Sequence, residues 1–254
     1  MALKLMKSYL KDRKQYVEVV GKDGVIRTEV VINEMGVPQG SILGPLLFLL
    51  YVAYINRILK YGAAVDFVDD KTVIFKDLSM SQLILQAEED LKNLSWIFKA
   101  MNLNFNIIKS VCMLFCKKFE FQEILCGEDQ LSRVKLVKLL GLYIQEDLSW
   151  QEQIKTVVKK VGSYGYAMKK LKNILSRKDL LSVYYAFIHS TIKYGIIFWG
   201  GANVTEVLIL QKKILRNVYS LDQRSSCRNL FEEAEILTVV YSVHSGMYSF
   251  CEQK

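Results

Sequence analysis

The hydrophobic pattern of this chain changes character once. Up to about residue 147, short β-rich apolar runs and helical stretches alternate with turn residues; from Trp150 onward the spacing is helical throughout. Such a chain reads as a mixed α/β part followed by an all-helical part, with the boundary near Asp147. In the helical part, Ile154, Val157, Val158, Val161, Met168, Leu171 and Leu175 make one apolar stripe, although Gly162 and Gly165 weaken its middle. Ser149 with Glu152 reads as a capping box opening that helix. Ser176 with Asp179 opens a second helix carrying Leu180, Tyr184, Phe187, Ile188 and Thr191. A third, over 204–219, carries Leu208, Ile214, Leu215 and Val218, with Lys212, Lys213 and Arg216 on its polar side.

The first part opens with a short helix over 2–12 and a hairpin whose strands, Tyr16 to Val20 and Val25 to Ile32, flank the turn Gly21-Lys22-Asp23-Gly24. Gly36 to Ser41 is a loop, because two glycines and Pro38 interrupt regular pairing. The apolar segment 42–58 follows. It is short for a membrane span, contains Gly44 and Pro45, and reads as a core helix that should be largely buried. Leu83, Ala87, Leu91, Leu94 and Phe98 predict a helix over 80–101. Residues 104–116 read as loop into strand, and 134–146 as a strand in which Gly141 marks a bulge or a close backbone approach.

At 254 residues, 51% hydrophobic and 24% charged, the chain has a globular composition and can bury a substantial core. Its net charge of +8 favours a polyanionic partner. Five cysteines, odd in number and scattered, argue against a secreted disulfide framework. Cys112 and Cys116 are close, but His189 and His244 are distant in sequence, so buried thiols are a better reading than a zinc site. The lysines near the N-terminus interrupt any signal-peptide core. The expected location is intracellular, nuclear or cytoplasmic, and not secreted.

Phe67-Val68-Asp69-Asp70 sits between the apolar runs Ala63-Ala64-Val65 and Val73-Ile74-Phe75. Apolar run, carboxylate pair, apolar run predicts two short strands joined by a tight turn that lifts two acids from a sheet edge. By itself an Asp-Asp pair is more often a solvated turn than a metal site.

The ordered set of motifs changes that balance, because together they resemble the reverse transcriptase domain of non-LTR (LINE-like, jockey-type) retrotransposons. Tyr9 to Val17 resembles the segment leading into the palm, and Gly36-Val37-Pro38-Gln39-Gly40-Ser41-Ile42-Leu43-Gly44-Pro45-Leu46-Leu47-Phe48 is similar to the family's most specific motif. Phe67 to Asp70 resembles its two-aspartate tetrapeptide, Asn102 to Ser110 its lysine motif, and Leu139-Leu140-Gly141 its primer-grip turn. Leu148-Ser149-Trp150 and Tyr194 to Gly200 are similar to its thumb region.

The resemblance implies an α+β fold. Residues 1–147 would be a partial polymerase palm, an antiparallel sheet with packed helices, and 148–254 an α-helical thumb with a C-terminal extension. It implies an RNA-directed DNA polymerase acting on an RNA template, a DNA primer and deoxynucleoside triphosphates, with no membrane partner. Asp69 would be the main metal ligand and Asp70 a lesser one, since adjacent strand residues point oppositely. Gln39 and Gly40 would line the template and nucleotide site, Lys109 would act near the triphosphate, and Leu140 with Gly141 would form the primer grip. Lys155, Lys159, Lys160, Lys169, Lys170 and Lys172, lying away from the apolar stripe, are candidates for nucleic-acid contact.

Polymerisation needs two hard divalent ions held by carboxylates. In the family a further metal-binding aspartate and the fingers precede the Gly36 motif, so the resemblance implies that this chain begins after them. Mg²⁺ or Mn²⁺ is therefore expected only if that aspartate is supplied. Lys71 stands where the family prefers a small hydroxyl residue, and it is either a substitution or an insertion disturbing the hairpin. Two other readings are a non-catalytic remnant or domesticated nucleic-acid-binding module, and a different palm-type polymerase or intron maturase.

Overall fold

The computed structural model describes residues 2–22, 24–33, 35–38, 40–115, 123–126 and 129–243. In chain order the elements are α1 (Ala2–Leu10), β1 (Arg13–Gln15), β2 (Glu18–Gly21), β3 (Gly24–Arg27), β4 (Val31–Asn33), α2 (Leu43–Val52), β5 (Ala63–Phe67), β6 (Asp70–Ile74) and α3 (Met80–Ala100). There follow β7 (Val111–Cys112), β8 (Leu125–Cys126), β9 (Asp129–Gln130), β10 (Ser132–Arg133), β11 (Leu136–Leu139) and β12 (Leu142–Gln145). The helices α4 (Gln151–Leu171), α5 (Arg177–Val183), α6 (Ser190–Lys193), α7 (Ile196–Trp199), α8 (Thr205–Val218) and α9 (Arg228–Glu233) come last. The architecture is thus mixed helix and strand, compatible with the expected α+β class. It divides into two compact units, one drawn from Met1–Lys109 and Gln122–Leu131, the other from Ser110–Phe121 and Ser132–Lys254.

Instead of one palm-like sheet, the described strands form separate two-stranded ladders: β1 with β4, β2 with β3, β5 with β6, β8 with β9, β11 with β12, and a parallel β7–β10 pair. The expected strand Val25 to Ile32 is split. Its first part pairs with β2, whereas Val31 and Ile32 turn back to pair with Gln15 and Lys14.

The core of the first unit is small and centres on α3. Ala87, Leu91 and Leu94 are buried as their spacing predicts, whereas Leu83 and Phe98 are only half-buried and Ile84, outside the predicted stripe, takes a core position with Ile55, Ile124, Cys126 and Leu131. Asp90 lies on the same helix face and is fully buried. Its carboxylate accepts hydrogen bonds from the backbone N–H groups of Lys60 (2.8 Å), Tyr61 (3.0 Å) and Gly62 (2.8 Å). A buried charge survives when its lone pairs are filled in this way, and here the bonds fix the chain as it enters β5.

The expected burial of segment 42–58 is not found. It breaks into α2 and a 3₁₀ turn, Ile55–Ile58. Leu46 and Leu50 of α2 are 52% and 62% exposed, and Phe48 is half-buried. An all-apolar helix has no polar side to give water, but it can bury only the sides that a partner covers. As a span α2 is too short, with 10 residues against about 20. No helix among the described residues is long and apolar enough to cross a membrane.

The second unit has a continuous core. Val161, Tyr184, Ile188, Trp199, Val207, Leu215 and Val239 are fully buried. Gly165, read as a weak point, is a packing position: a Cβ there would lie 2.9 Å from Cγ1 of Ile214, so its absence lets α4 approach α8. A π-helical turn, Tyr184–His189, follows α5 and shifts the phase of the apolar stripe. Phe187 is thereby turned outward, while Ile192 and Ile196 are buried.

Two local expectations had opposite outcomes. Ser176 caps α5 as predicted, its Oγ accepting from the Asp179 N–H. Ser149 does not cap α4; its Oγ is buried and without a partner. Leu148 and Trp150 both have positive φ, so the chain reverses there, and Oε1 of Gln145 accepts from the Glu152 N–H at 2.9 Å instead. Gln153 Oε1 returns the tie by accepting from the N–H of Tyr143 at 3.0 Å. Gly141 is likewise not a bulge in a strand over 134–146. Leu140 and Gly141 are the turn of the β11–β12 hairpin, with φ of +46° and +86°.

Candidate active site

The β5–β6 ladder runs from Ala63↔Ile74 to Phe67↔Asp70 without interruption. Val68 and Asp69 are left as the two-residue loop, so Asp69 is at the tip and Asp70 is the first residue of β6. Val68 takes φ +56°, a left-handed conformation that glycine or asparagine would adopt with less strain. Holding a β-branched residue there costs on the order of 1–3 kcal/mol. Both aspartates are exposed. Among the described residues, neither side chain has a hydrogen-bond or ion-pair partner.

Lys71 is an ordinary member of this ladder, paired with Asp66 across the strands, and the register shows no bulge. Its Nζ donates to Asp66 and to Asn56, and Asn56 Nδ2 donates to the other Asp66 oxygen at 2.7 Å. The Lys71 and Asp66 side chains are only 15% and 22% exposed. Successive rungs alternate faces, so Asp66 and Lys71 lie on the face opposite Asp70. Asp66 is therefore engaged by Lys71 and Asn56 on the face opposite Asp70.

Carboxylates suit a divalent ion, and Asp69 and Asp70 are donors of the right kind. Two acids from adjacent residues are too few for a two-ion centre. Among the described residues no group of three His, Cys, Asp or Glu side chains comes together to hold a metal. The described side chains therefore do not fit a complete two-ion site. Burial pushes the Cys112 and Cys126 thiols up from their ordinary pKa. Cys116 and His244 lie outside the described residues.

Gln39 also lies outside the described residues. Gly40 is exposed, with φ +78° and nothing within 4 Å of the position a Cβ would take, so its backbone conformation demands glycine without any crowding from the chain itself. Lys109 is exposed at the end of a 3₁₀ turn, Ile107–Lys109.

In the second unit the structure joins two segments that the sequence presented separately. The Tyr194 hydroxyl donates to the carbonyl oxygen of Leu140, and a Cβ on Gly141 would lie 3.4 Å from the Tyr194 ring. Gly195 has φ +63°, and a Cβ there would sit 2.7 Å from Leu142. The Leu140–Gly141 turn thus rests on the Tyr194–Gly195 corner, while Trp199 Nε1 donates to the Tyr194 carbonyl at 3.0 Å. Sequence spacing gave no sign of this pairing, because the residues are 54 apart.

Of the six candidate lysines, Lys155, Lys159, Lys160, Lys169 and Lys170 are exposed on α4, and Lys172, just past its end, is half-buried. Tyr166, which charge patterning does not reveal, stands among them and is 65% exposed.

The chain is similar to curated polymerases of mobile elements. It is 24% identical to "Probable RNA-directed DNA polymerase from transposon BS" of Drosophila melanogaster, over 96% of this chain and 29% of the relative. It is 25% identical to the corresponding protein from transposon X-element of the same species, over 96% of this chain and 28% of the relative. To the RNA-directed DNA polymerase from mobile element jockey of Drosophila funebris it is 26% identical, over 84% of this chain and 24% of the relative. These relatives bear out the resemblance to jockey-type non-LTR reverse transcriptases. The chain spans less than a third of the length of each of these relatives. No protein-family model matches it, and no solved structure matches it.

Proposed function

We propose that this chain supplies the two-aspartate hairpin of an RNA-directed DNA polymerase and cannot polymerise with its described side chains alone. The observation that carries the reading is Asp69 in the tip loop of an unbroken hairpin, with Asp70 beside it opening β6, in a chain whose curated relatives are RNA-directed DNA polymerases. In this reading Asp69 is the principal ion-binding carboxylate and Asp70 an accessory one. Gln39 and Gly40 meet template and nucleotide, Lys109 lies toward the triphosphate, and the Leu140–Gly141 turn meets the primer end. The partners are an RNA template, a DNA primer and deoxynucleoside triphosphates. Residues 1–147 act as partial palm and 148–254 as thumb. Mg²⁺ or Mn²⁺ becomes relevant once a further carboxylate faces Asp69.

Primer extension on an RNA template tests the reading. The chain alone should give no product with Mg²⁺ or Mn²⁺. Preceded by the corresponding upstream segment of a jockey polymerase, it should extend the primer, and Asp69→Ala should abolish that product. Each 1.36 kcal/mol of lost transition-state stabilisation is tenfold in rate, so a missing carboxylate that costs several such units removes detectable extension. Extension by the unaided chain that vanishes with Asp69→Ala would mean that its own acids complete the site. Failure of the fused protein would favour a non-catalytic role.

A further inference from the structure

The outer face of α4 carries more than charge. At 3.6 residues per turn, Lys155, Lys159, Lys169 and Lys170 fall within an arc of roughly 100°, opposite the buried Ile154, Val157, Val161 and Met168. That face extends about 22 Å at 1.5 Å per residue. The sole acid at its head, Glu152, is paired with Lys155 at 2.7 Å, and the remaining lysines on the arc have no acid beside them on the helix. A purely solvating face needs no aromatic residue, yet Tyr166 occupies its centre at 65% exposure. The Lys170 ammonium lies over the Tyr166 ring, 5.6 Å from its centroid. One turn earlier, Gly162 has nothing within 4 Å of where a Cβ would be, so a ligand can approach the helix backbone beside the ring.

We propose that this face of α4 binds single-stranded nucleic acid, with Tyr166 as the stacking platform for an unpaired base. Lys155, Lys159, Lys169 and Lys170 meet the flanking phosphates, and the gap at Gly162 lets the strand lie close to the helix. An exposed tyrosine ring within a lysine field is the combination that captures unpaired bases, because every base offers a π-face and every nucleotide a phosphate. A duplex keeps its bases stacked internally and would use the lysines alone. The inference does not depend on the Asp69–Asp70 hairpin, so its failure leaves the polymerase reading standing, and the converse also holds.

Fluorescence anisotropy with the full chain tests it, using labelled oligothymidylate, oligouridylate and a duplex of equal length at several salt concentrations. Single strands should bind more tightly than duplex. Tyr166→Ser should weaken single-strand binding by at least about fivefold and leave duplex binding unchanged, whereas Tyr166→Phe should preserve it. Replacing Lys169 and Lys170 by Gln should reduce the log–log salt slope by about 0.7 for each phosphate no longer neutralised. Unchanged single-strand affinity in Tyr166→Ser would overturn the proposal, as would an equal loss on duplex. Binding to anionic phospholipid vesicles with none to oligonucleotide would also overturn it and assign the face to a membrane surface.

Discussion

The two units of this chain contain similar apolar residues and use them differently. In the helical unit, Leu215 and Trp199 are fully buried, and Gln211 satisfies its neighbours, donating to the Tyr184 hydroxyl at 2.9 Å and accepting from the Val239 N–H at 2.8 Å. In the hairpin unit, Leu50 and Phe67 remain more than half exposed, and the β5–β6 ladder has no further strand on either edge among the described residues. A lone two-stranded ladder is marginal in water unless something packs on it. Apolar content alone therefore does not set burial; the arrangement of partners does. The unit carrying the aspartates has the strained Val68 and the small core, and the unit carrying the lysine face has the finished one.

The largest expected difference between the units is in truncation mutants. Trp199→Ala should destabilise the helical unit by about 3–5 kcal/mol through loss of a fully buried side chain. Leu50→Ala should change stability by no more than about 0.5 kcal/mol, as for other exposed positions. Urea titration followed by far-UV circular dichroism measures both. A large loss from Leu50→Ala would mean that α2 is covered in solution.

Alkaline titration separates the units further. Burial pushes the Tyr184 hydroxyl up to about 12 from its ordinary 10. A folded-state pKa above the unfolded one means that the native state binds more protons in that window. The contribution is thus complete below about pH 10 and is lost as the pH rises toward 12, amounting to roughly 2–3 kcal/mol. Comparing wild type with Tyr184→Phe between pH 9 and 12 isolates it. An identical alkaline loss in both proteins would refute the assignment.

A smaller effect separates the sequence reading from the structure at the start of α4. Gln145→Ala removes the acceptor for the Glu152 N–H and should cost about 1 kcal/mol, whereas Ser149→Ala should be nearly neutral, its Oγ having no partner. Thermal melts of the two variants decide between them, and the reverse ranking would restore the capping box.

These outcomes show which features local sequence can reveal. The Ser176–Asp179 cap was legible because donor and acceptor lie within one turn. Most of the α3 stripe and the β5–β6 hairpin were legible for the same reason: periodicity and turn chemistry act over a few residues, although the loop proved to be Val68–Asp69 and not Asp69–Asp70. The reassigned cap at α4 was not, since positive φ at Leu148 and Trp150 redirects the chain and a strand residue replaces Ser149. Nor were the Asp90 carboxylate clamp or the Tyr194 contact to Leu140, both of which join distant segments through one polar group. Lys71 posed a question of register that only strand pairing answers. At the candidate site, the residue types were readable and the shortage of converging carboxylates was read from the resemblance; the withdrawal of Asp66 by Lys71 and Asn56 was not readable.

Native-state amide hydrogen exchange on the full chain puts the contrast between the units to its plainest test. Amides of α4 and α8 should exchange only through global opening of their unit, while amides of β5 and β6 should exchange much faster by local opening. Equal, strong protection in the β5–β6 hairpin would contradict this, because that hairpin would then be as well supported as the helical core.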